Sequence, residues 1–172
     1  IGGITGGIGS ELAVKLGAEG DCVSGYARKA ADGDSFSPQD EVMLKTCDAT
    51  DPKALETVIN EFQKDLGSID SYTHAIGSIY LRAAHLTPVE DWLQTIQTNL
   101  SSAFYALRSV TKIVAKQGHG SCLFFSTAAA QTGIANHEAI AAAKGGIEAM
   151  VRAAAASSAE LREFTLGSNS NG

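Results

Sequence analysis

The first nine residues contain glycines at a spacing that suits a turn around a phosphate group. Gly3, Gly7 and Gly9 follow the pattern G-x-x-x-G-x-G, and apolar residues at helical spacing begin directly after them. In such a turn, backbone N–H groups can approach a pyrophosphate, which then lies at the positive end of the helix dipole. The pattern predicts a dinucleotide-binding turn. A glycine-rich loop that binds nothing is the alternative, because a single glycine pattern is a weak signal.

Composition limits the classes of protein that need to be considered. The chain has 172 residues, of which 44% are hydrophobic and 19% are charged, a mixture that suits one globular domain over residues 1–172. The net charge is −6 and no basic cluster occurs, which argues against a nucleic-acid partner and favours a small-molecule substrate. The longest apolar run is too short to span a bilayer.

The three cysteines, Cys22, Cys47 and Cys122, are far apart and lack the spacing of metal ligands. We expect three reduced, buried thiols, no metal site and a cytoplasmic protein. No signal peptide is visible. The chain begins without Met and inside a predicted strand, so we expect it to be incomplete at its N terminus. We expect the same at the C terminus, since the last strands are not recognisable after residue 160.

Four apolar segments alternate with helical ones along the rest of the chain. Strands are predicted at 21–27, 41–47, 69–76 and 121–126, and helices after the glycines, from 51 to 67, from 87 to about 116 and from His137 to Ser157. A loop is predicted from Ala30 to Asp40, and a frayed tail from Glu160. Apolar strands that alternate with helices indicate an α/β fold, a doubly wound parallel sheet of Rossmann-like type.

The order of these pieces resembles the short-chain dehydrogenase/reductase family over about residues 1–158. The resemblance rests on the glycine turn and on the following landmarks: Asp48 after the third strand, Ala75-Ile76-Gly77 after the fourth, Asn99 within Thr98-Asn99-Leu100, Ser126 at the end of the fifth strand and Lys144 in the next helix. It implies an oxidoreductase that transfers hydride to or from a carbonyl, alcohol or enoyl substrate. It also implies a homodimer or homotetramer that pairs through the helices at about 92–116 and 137–157.

The resemblance also assigns roles to single residues. Asp48 would accept a hydrogen bond from the adenine amino group, and Gly77 would let the ribose and nicotinamide lie against the strand. Asn99 would hold a water relay to Lys144, which would bind the ribose and lower the pKa of a neighbouring acid. Ser126 would donate to the substrate carbonyl. The full predicted cofactor-binding set is Gly3, Thr5, Gly7, Ile8, Gly9, Arg28, Asp48, Ala75, Gly77 and Lys144.

Charge at the end of the second strand favours NADP(H) over NAD(H). Enzymes that use NAD place a carboxylate there for the ribose hydroxyls. Here the strand ends at Ala27 and is followed by Arg28 and Lys29, two cations that match a 2′-phosphate. Two ordinary surface charges are the alternative.

The chain departs from the family at the proton donor. The tyrosine that usually precedes the lysine by four residues is replaced by Ile140, and no tyrosine follows Tyr105. In the enoyl-thioester reductase branch that tyrosine precedes the lysine by seven residues, where this chain has His137. We therefore predict His137 as the acid, although it could instead simply begin the helix. A catalytically silent NAD(P)-binding sensor or scaffold is the alternative function.

Overall fold

A computed structural model describes residues 1–29 and 42–157, together with the backbone of 163–169. The predicted loop from Ala30 to Asp40 lies outside these residues. Five strands run parallel: β1 (Ser24–Ala27), β2 (Met43–Thr46), β3 (Ser71–His74), β4 (Ser121–Thr127) and β5 (Glu163–Asn169).

The segment at Gly2 joins the strands into one sheet. Gly2 forms parallel bridges with Tyr26 of β1 and with His74 of β3, so the chain start lies between these two strands. The strands follow one another across the sheet as β2, β1, the Gly2 segment, β3, β4 and β5. The direction of winding reverses beside Gly2, and ligands of open α/β sheets bind in the crevice at such a point.

Helices connect the strands. They are α1 (Gly7–Ala18), α2 (Pro52–Leu66), α3 (Val89–Ile96), α4 (Ser102–Gln117), α5 (Ala129–Thr132) and α6 (Glu138–Ser157), with a π-helical turn at Gln97–Ser101 between α3 and α4. The start of α2 is set by Asp51, because its side chain accepts hydrogen bonds from the backbone N–H groups of Lys53 and Ala54. Its end is set by Gly67, which has a positive φ of 84°.

Apolar residues pack on both faces of the sheet. The larger cluster joins Tyr26, Phe124 and Ile147 with the inner sides of α2 and α4. A smaller cluster of Ile4, Ala13 and Val23 lies under α1. Because Val23 and Tyr26 point to opposite sides of the same extended segment, the two clusters cover opposite faces. The predicted α/β, doubly wound parallel sheet is confirmed.

The structure corrects three details of the sequence reading. The predicted frayed tail contains β5, whose seven residues pair with all of β4. The long helix predicted up to residue 116 is interrupted by the π-helical turn. Cys22 is exposed, whereas Cys47 and Cys122 are buried as expected.

Within the described part of the chain, no helix combines the length and the apolar character needed to cross a membrane.

Candidate functional site

A continuous cleft lies at the carboxyl ends of the strands, beside the point where the winding reverses. Its larger compartment has a volume of about 640 Å³ and runs from the glycine turn past the ends of β1 and β2. A second compartment of about 250 Å³ lies against the ends of β3 and β4 and the start of α6. Ala75, Ile76 and Gly77 line both compartments and therefore form their common wall.

Two of the three predicted glycines are required by close packing in the turn. Gly3 has a φ of +78°, and a Cβ there would lie 2.8 Å from the carbonyl oxygen of Ala75. A Cβ on Gly9 would collide with the carbonyl oxygen of Gly3. Gly7 has open space around it, so the packing within this chain does not require a glycine at that position.

The first turn of α1, which follows the glycine turn, has hydrogen-bond donors without helical acceptors. Helix α1 begins at Gly7, and its first i→i−4 bond is donated by Ser10 N to Gly6 O at 2.8 Å. The N–H groups of residues 7 to 9 therefore lack helical acceptors, as in any first turn. No acidic residue occupies this turn. The free N–H groups, the positive helix end and the cleft volume fit a pyrophosphate and its two nucleosides.

Charged residues line the far end of the larger compartment. Arg28, Lys29 and Asp48 lie around it, and Ala27 occupies the end of β1 where a carboxylate would favour NAD. One carboxylate oxygen of Asp48 accepts from Thr50 N at 2.9 Å and from Thr50 Oγ1 at 2.8 Å. These bonds, the backbone one first, lower the pKa of Asp48, and nearby Arg28 adds to the effect. Asp48 is therefore a fixed, charged acceptor at neutral pH.

The smaller compartment brings together all four predicted catalytic residues, Asn99, Ser126, His137 and Lys144. Burial lowers the pKa of Lys144 to about 8, so its ammonium can lose a proton near neutral pH. The ammonium lies 3.4 Å from the position that a Cβ on Gly77 would occupy. Glycine at position 77 therefore keeps the wall open beside the lysine.

Asn99 fixes the turn that follows β3. Its side chain is fully buried and belongs to the π-helical turn. Its Oδ1 accepts from Ser78 N at 3.0 Å, while its Nδ2 donates to Ser78 Oγ at 3.2 Å and to Thr95 O at 3.0 Å. The amide thus holds Ser78 of the wall against α3, which is a role that the sequence did not indicate.

His137 lies at the mouth of the same compartment in a defined tautomer. Its Nδ1 is 2.8 Å from the carbonyl oxygen of Ala135. A carbonyl oxygen can only accept, so Nδ1 carries the proton and Nε2 is left for other partners. Ile140 also lines the compartment and is only 5% exposed.

Ser126 has a partner that the sequence reading missed. Its hydroxyl donates to Oε1 of Glu148 at 2.6 Å, and Glu148 is only 7% exposed. This bond is the largest of the effects that lower the pKa of Glu148, so the carboxylate is charged at neutral pH. Gln131 and Arg152 approach the same carboxylate. Glu148 lies four residues after Lys144, on the same face of α6, and that spacing is the only sequence signal for it.

A chain of hydrogen bonds lies behind the site, in the core. The Tyr26 and Tyr72 hydroxyls are 2.7 Å apart, Tyr72 is 2.8 Å from Nδ1 of His74, and Nε2 of His74 is 3.1 Å from Ser102 Oγ. Burial, with Lys144 as a smaller contributor, lowers the pKa of His74 to about 3. His74 is therefore neutral, and each member of the chain has a partner.

Most of the residues predicted from the sequence meet at the cleft. Gly3, Thr5, Arg28, Asp48, Ala75 and Gly77 line the larger compartment, and Ile8 lines the smaller one with the four catalytic candidates. Gly7 and Gly9 are not among the lining residues and contribute through the shape of the turn. The sequence reading did not single out Thr127, Ser78 or Thr98, which also line the cleft.

The fold and cleft define an α/β protein built to bind a dinucleotide, and comparison with known proteins gives its family. A family model described as enoyl-(acyl carrier protein) reductase matches residues 3–162. The chain belongs to the short-chain dehydrogenase/reductase family, to which that model is assigned.

Individual relatives share about a quarter of the sequence. A 3-oxoacyl-[acyl-carrier-protein] reductase of Haemophilus influenzae is 26% identical over 147 residues, which are 84% of this chain and 61% of that protein. A 3beta-hydroxysteroid dehydrogenase of Mediterraneibacter gnavus is 26% identical over 159 residues, covering 89% and 57%. The chain thus spans about three fifths of the length of these relatives.

Solved structures share the fold. A short-chain dehydrogenase from Streptomyces avermitilis superposes with a TM-score of 0.88 at 20% identity, covering 96% of this chain and 62% of that one. The aldohexose dehydrogenase of Thermoplasma acidophilum gives a TM-score of 0.87 at 20% identity, covering 98% and 64%.

Proposed function

We propose that the protein is an NADP(H)-dependent oxidoreductase that transfers hydride to or from a carbonyl, alcohol or enoyl substrate. The observation that carries this proposal is the continuity of the cleft. The glycine turn at one end and Lys144 with His137 at the other line two compartments with a common wall. A bound nicotinamide supplies or accepts the hydride. The residues of the chain bind and orient the cofactor and the substrate, and they transfer the proton.

Different parts of the cofactor would be bound by different residues along the cleft. The free N–H groups at the start of α1 would take the pyrophosphate, and Asp48 would accept from the adenine amino group. Lys144 would bind the ribose, beside the open wall at Gly77. The family match and the reductases among the relatives support this division.

His137 would supply the proton that tyrosine supplies elsewhere in the family. With Nδ1 held by the Ala135 carbonyl, only Nε2 is available to a substrate in the smaller compartment. In reduction, Nε2 of the imidazolium would donate to the substrate oxygen, and in oxidation the neutral imidazole would accept. Asn99 would position the wall rather than touch the substrate.

Arg28 and Lys29 support the preference for NADP(H). Both line the end of the larger compartment, and β1 ends at Ala27 without a carboxylate. An arginine near this point accommodates a 2′-phosphate, whereas an acid binds the ribose hydroxyls of NAD.

The test measures NADPH binding and NADPH oxidation by the full-length protein. The panel would contain 3-oxoacyl thioesters, enoyl thioesters, cyclic ketones and aldoses. We expect His137→Ala to lower kcat by about 10²-fold or more, the usual contribution of a general acid, with little change in the Kd for NADPH. His85→Ala, an exposed histidine outside both compartments, is the matched control. Undiminished turnover by His137→Ala would refute its role as the acid.

A catalytically silent NAD(P)-binding sensor or scaffold is the second candidate. Ile140 favours it, because an aliphatic side chain, 5% exposed, cannot transfer a proton from the position of the family's tyrosine. Tight NADPH binding without oxidation across the whole panel would select this function over the first.

We also propose pairing of two or four chains through the long helices. Phe104 on α4 is 50% exposed and Leu93 on α3 is 59% exposed, so both helices present apolar side chains outward. Alanines on α6 would allow close approach of a second helix. Light scattering of the full-length protein should give twice or four times the mass of one chain, and Phe104→Glu should lower it.

A further inference from the structure

The amine of Lys144 lies in the smaller compartment without a partner. Among the described residues that line this compartment there is no carboxylate. The Nζ atom has no hydrogen-bond or ion-pair partner within the part of the chain that the structure describes. It is nevertheless not enclosed by the protein, because part of its surface is accessible from the compartment. A molecule that enters the compartment therefore meets an unpaired amine.

The acceptors that lie closest to this amine are directed elsewhere. Glu148 follows Lys144 by four residues on α6, a spacing at which a lysine and a glutamate can pair. Its carboxylate instead accepts a hydrogen bond of 2.6 Å from Ser126 Oγ. The Oδ1 atom of Asn99 accepts from Ser78 N at 3.0 Å. Neither group therefore stabilises the charged form of the lysine.

This environment makes the amine a nucleophile. Burial lowers the pKa of Lys144 from its ordinary value of 10.5 to about 8. At pH 7 about one amine in ten is then unprotonated, a fraction on the order of 10²-fold larger than for an ordinary lysine. Desolvated lysines in apolar pockets are typical of those that attack carbonyl carbons and form imines.

The compartment has room for a carbonyl compound beside Nζ. A Cβ on Gly77 would lie 3.4 Å from Nζ, so the glycine leaves this side of the amine open. Apolar walls are formed by Ile8, Phe125 and Ile140, and the volume is about 250 Å³. Such walls fit the hydrocarbon body of an aldehyde, because burial of apolar surface is favourable and removes no hydroxyl group from water.

We propose that Lys144 captures an apolar aldehyde as an imine when the cofactor is absent from the cleft. The lone pair of Nζ attacks the carbonyl carbon, and one amine proton passes to the carbonyl oxygen to give a carbinolamine. The hydroxyl group then leaves with the second amine proton as water, and the C=N bond forms without any oxidation or reduction. His137 lines the same compartment with its Nε2 available, so it can carry these protons. This activity goes beyond the proposed hydride transfer and does not depend on it.

The test traps the imine in the full-length protein without cofactor. Benzaldehyde is the probe, because it is apolar, and sodium cyanoborohydride reduces its imine to a stable secondary amine. Peptide mass spectrometry at pH 7 measures the rate of labelling at each lysine. We expect Lys144 to be labelled about tenfold faster, or more, than Lys112, an exposed lysine whose ammonium is paired with Glu56. Labelling of exposed lysines with none at Lys144 would overturn the inference.

A matched pair of variants provides the control. Lys144→Arg keeps the positive charge and removes the nucleophile, so we expect the fast phase of labelling of the intact protein to disappear. Lys112→Arg should keep that phase, and circular dichroism checks that both variants are folded. A fast phase that persists in folded Lys144→Arg would overturn the inference.

Addition of NADP⁺, which cannot reduce the aldehyde, separates this inference from the proposed function. If the ribose binds at Lys144, labelling of this lysine should become slower. Labelling of Lys144 that NADP⁺ does not slow would support the imine and would count against the proposed cofactor site.

Discussion

The buried imidazole of His74 should make the protein increasingly unstable below neutral pH. In the fold the pKa of His74 is lowered from 6.5 to about 3, first by burial and then by Lys144. In the unfolded chain it returns to its ordinary value, so between pH 6.5 and 3 only the unfolded state binds this proton. Its contribution to stability is complete above pH 6.5 and is lost as the pH falls through that range.

The size of this effect follows from the two pKa values. The difference between the two pKa values corresponds to a loss of about 5 kcal/mol in the free energy of unfolding once the pH has fallen to about 3. Each pH unit contributes about 1.4 kcal/mol of that loss. Between pH 7 and pH 5 the loss is about 2 kcal/mol, a large part of the stability of a typical domain. Two carboxylates with lowered pKa values, Asp48 at the cleft and the buried Glu148, also make the protein sensitive to acid, so a variant must isolate the contribution of the histidine.

The variant His74→Gln isolates the contribution of the histidine. An amide can donate and accept hydrogen bonds, but it does not titrate between pH 5 and pH 7. Urea unfolding followed by circular dichroism at pH 7, 6 and 5 gives the free energy of unfolding of each protein. We expect the wild type to lose about 2 kcal/mol more than the variant between pH 7 and 5. His74→Asn serves if the glutamine is too long, and His85→Gln controls for the loss of an exposed imidazole. Parallel curves for the wild type and the His74 variants would refute this account.

Two further predictions concern the cofactor. Gly9→Ala should destabilise the fold and abolish NADPH binding by calorimetry, because the added Cβ collides with the carbonyl oxygen of Gly3, whereas Gly7→Ala should still fold, because nothing lies within 4 Å of its Cβ. Binding of NADPH by Gly9→Ala as tight as that of the wild type would contradict this. Arg28→Ala should raise the Kd for NADPH at least tenfold and leave that for NADH nearly unchanged, and equal losses for both would count against a 2′-phosphate site.

Individual cleft residues such as Asp48, Gly77 and Ser126 were implied by the family resemblance, whereas the glycine turn and the order of strands and helices followed from local sequence. Each depends on a short pattern, such as the spacing of Gly3, Gly7 and Gly9 or the apolar period of a helix. The chain order of parallel strands then places their carboxyl ends on one edge, which brings Asp48, Gly77 and Ser126 to the same cleft.

The hydrogen-bond partners of the buried polar groups could not be predicted from the sequence, because they are far apart in the chain. Ser126 and Glu148 are 22 residues apart and meet only when α6 packs on β4. Tyr26 and Tyr72 are 46 residues apart in the chain. Their hydroxyls meet because the segment between their strands presents Gly2, which has no side chain, next to both of them. Strand β5 was missed because its seven residues include few strongly apolar ones, and pairing with β4 defines it.

Gly2 shows how contacts between distant residues constrain a single position. A Cβ there would lie 2.5 Å from the Tyr26 hydroxyl and 2.8 Å from that of Tyr72. The glycine therefore accommodates two large polar side chains beneath the cofactor turn.

The π-helical turn at Gln97–Ser101 makes the contact between Asn99 and the wall of the cleft sensitive to the number of residues in the turn. A π turn accommodates one more residue than an α turn, so deletion of one residue here would leave a regular helix. The side chains of α4 would keep their direction, because the π turn absorbs the extra residue without rotating the helix that follows. The turn itself would change its backbone, and Asn99 would lose its hydrogen bonds to Ser78. Insertions and deletions in the surface loops are far easier to tolerate than a single one at this turn.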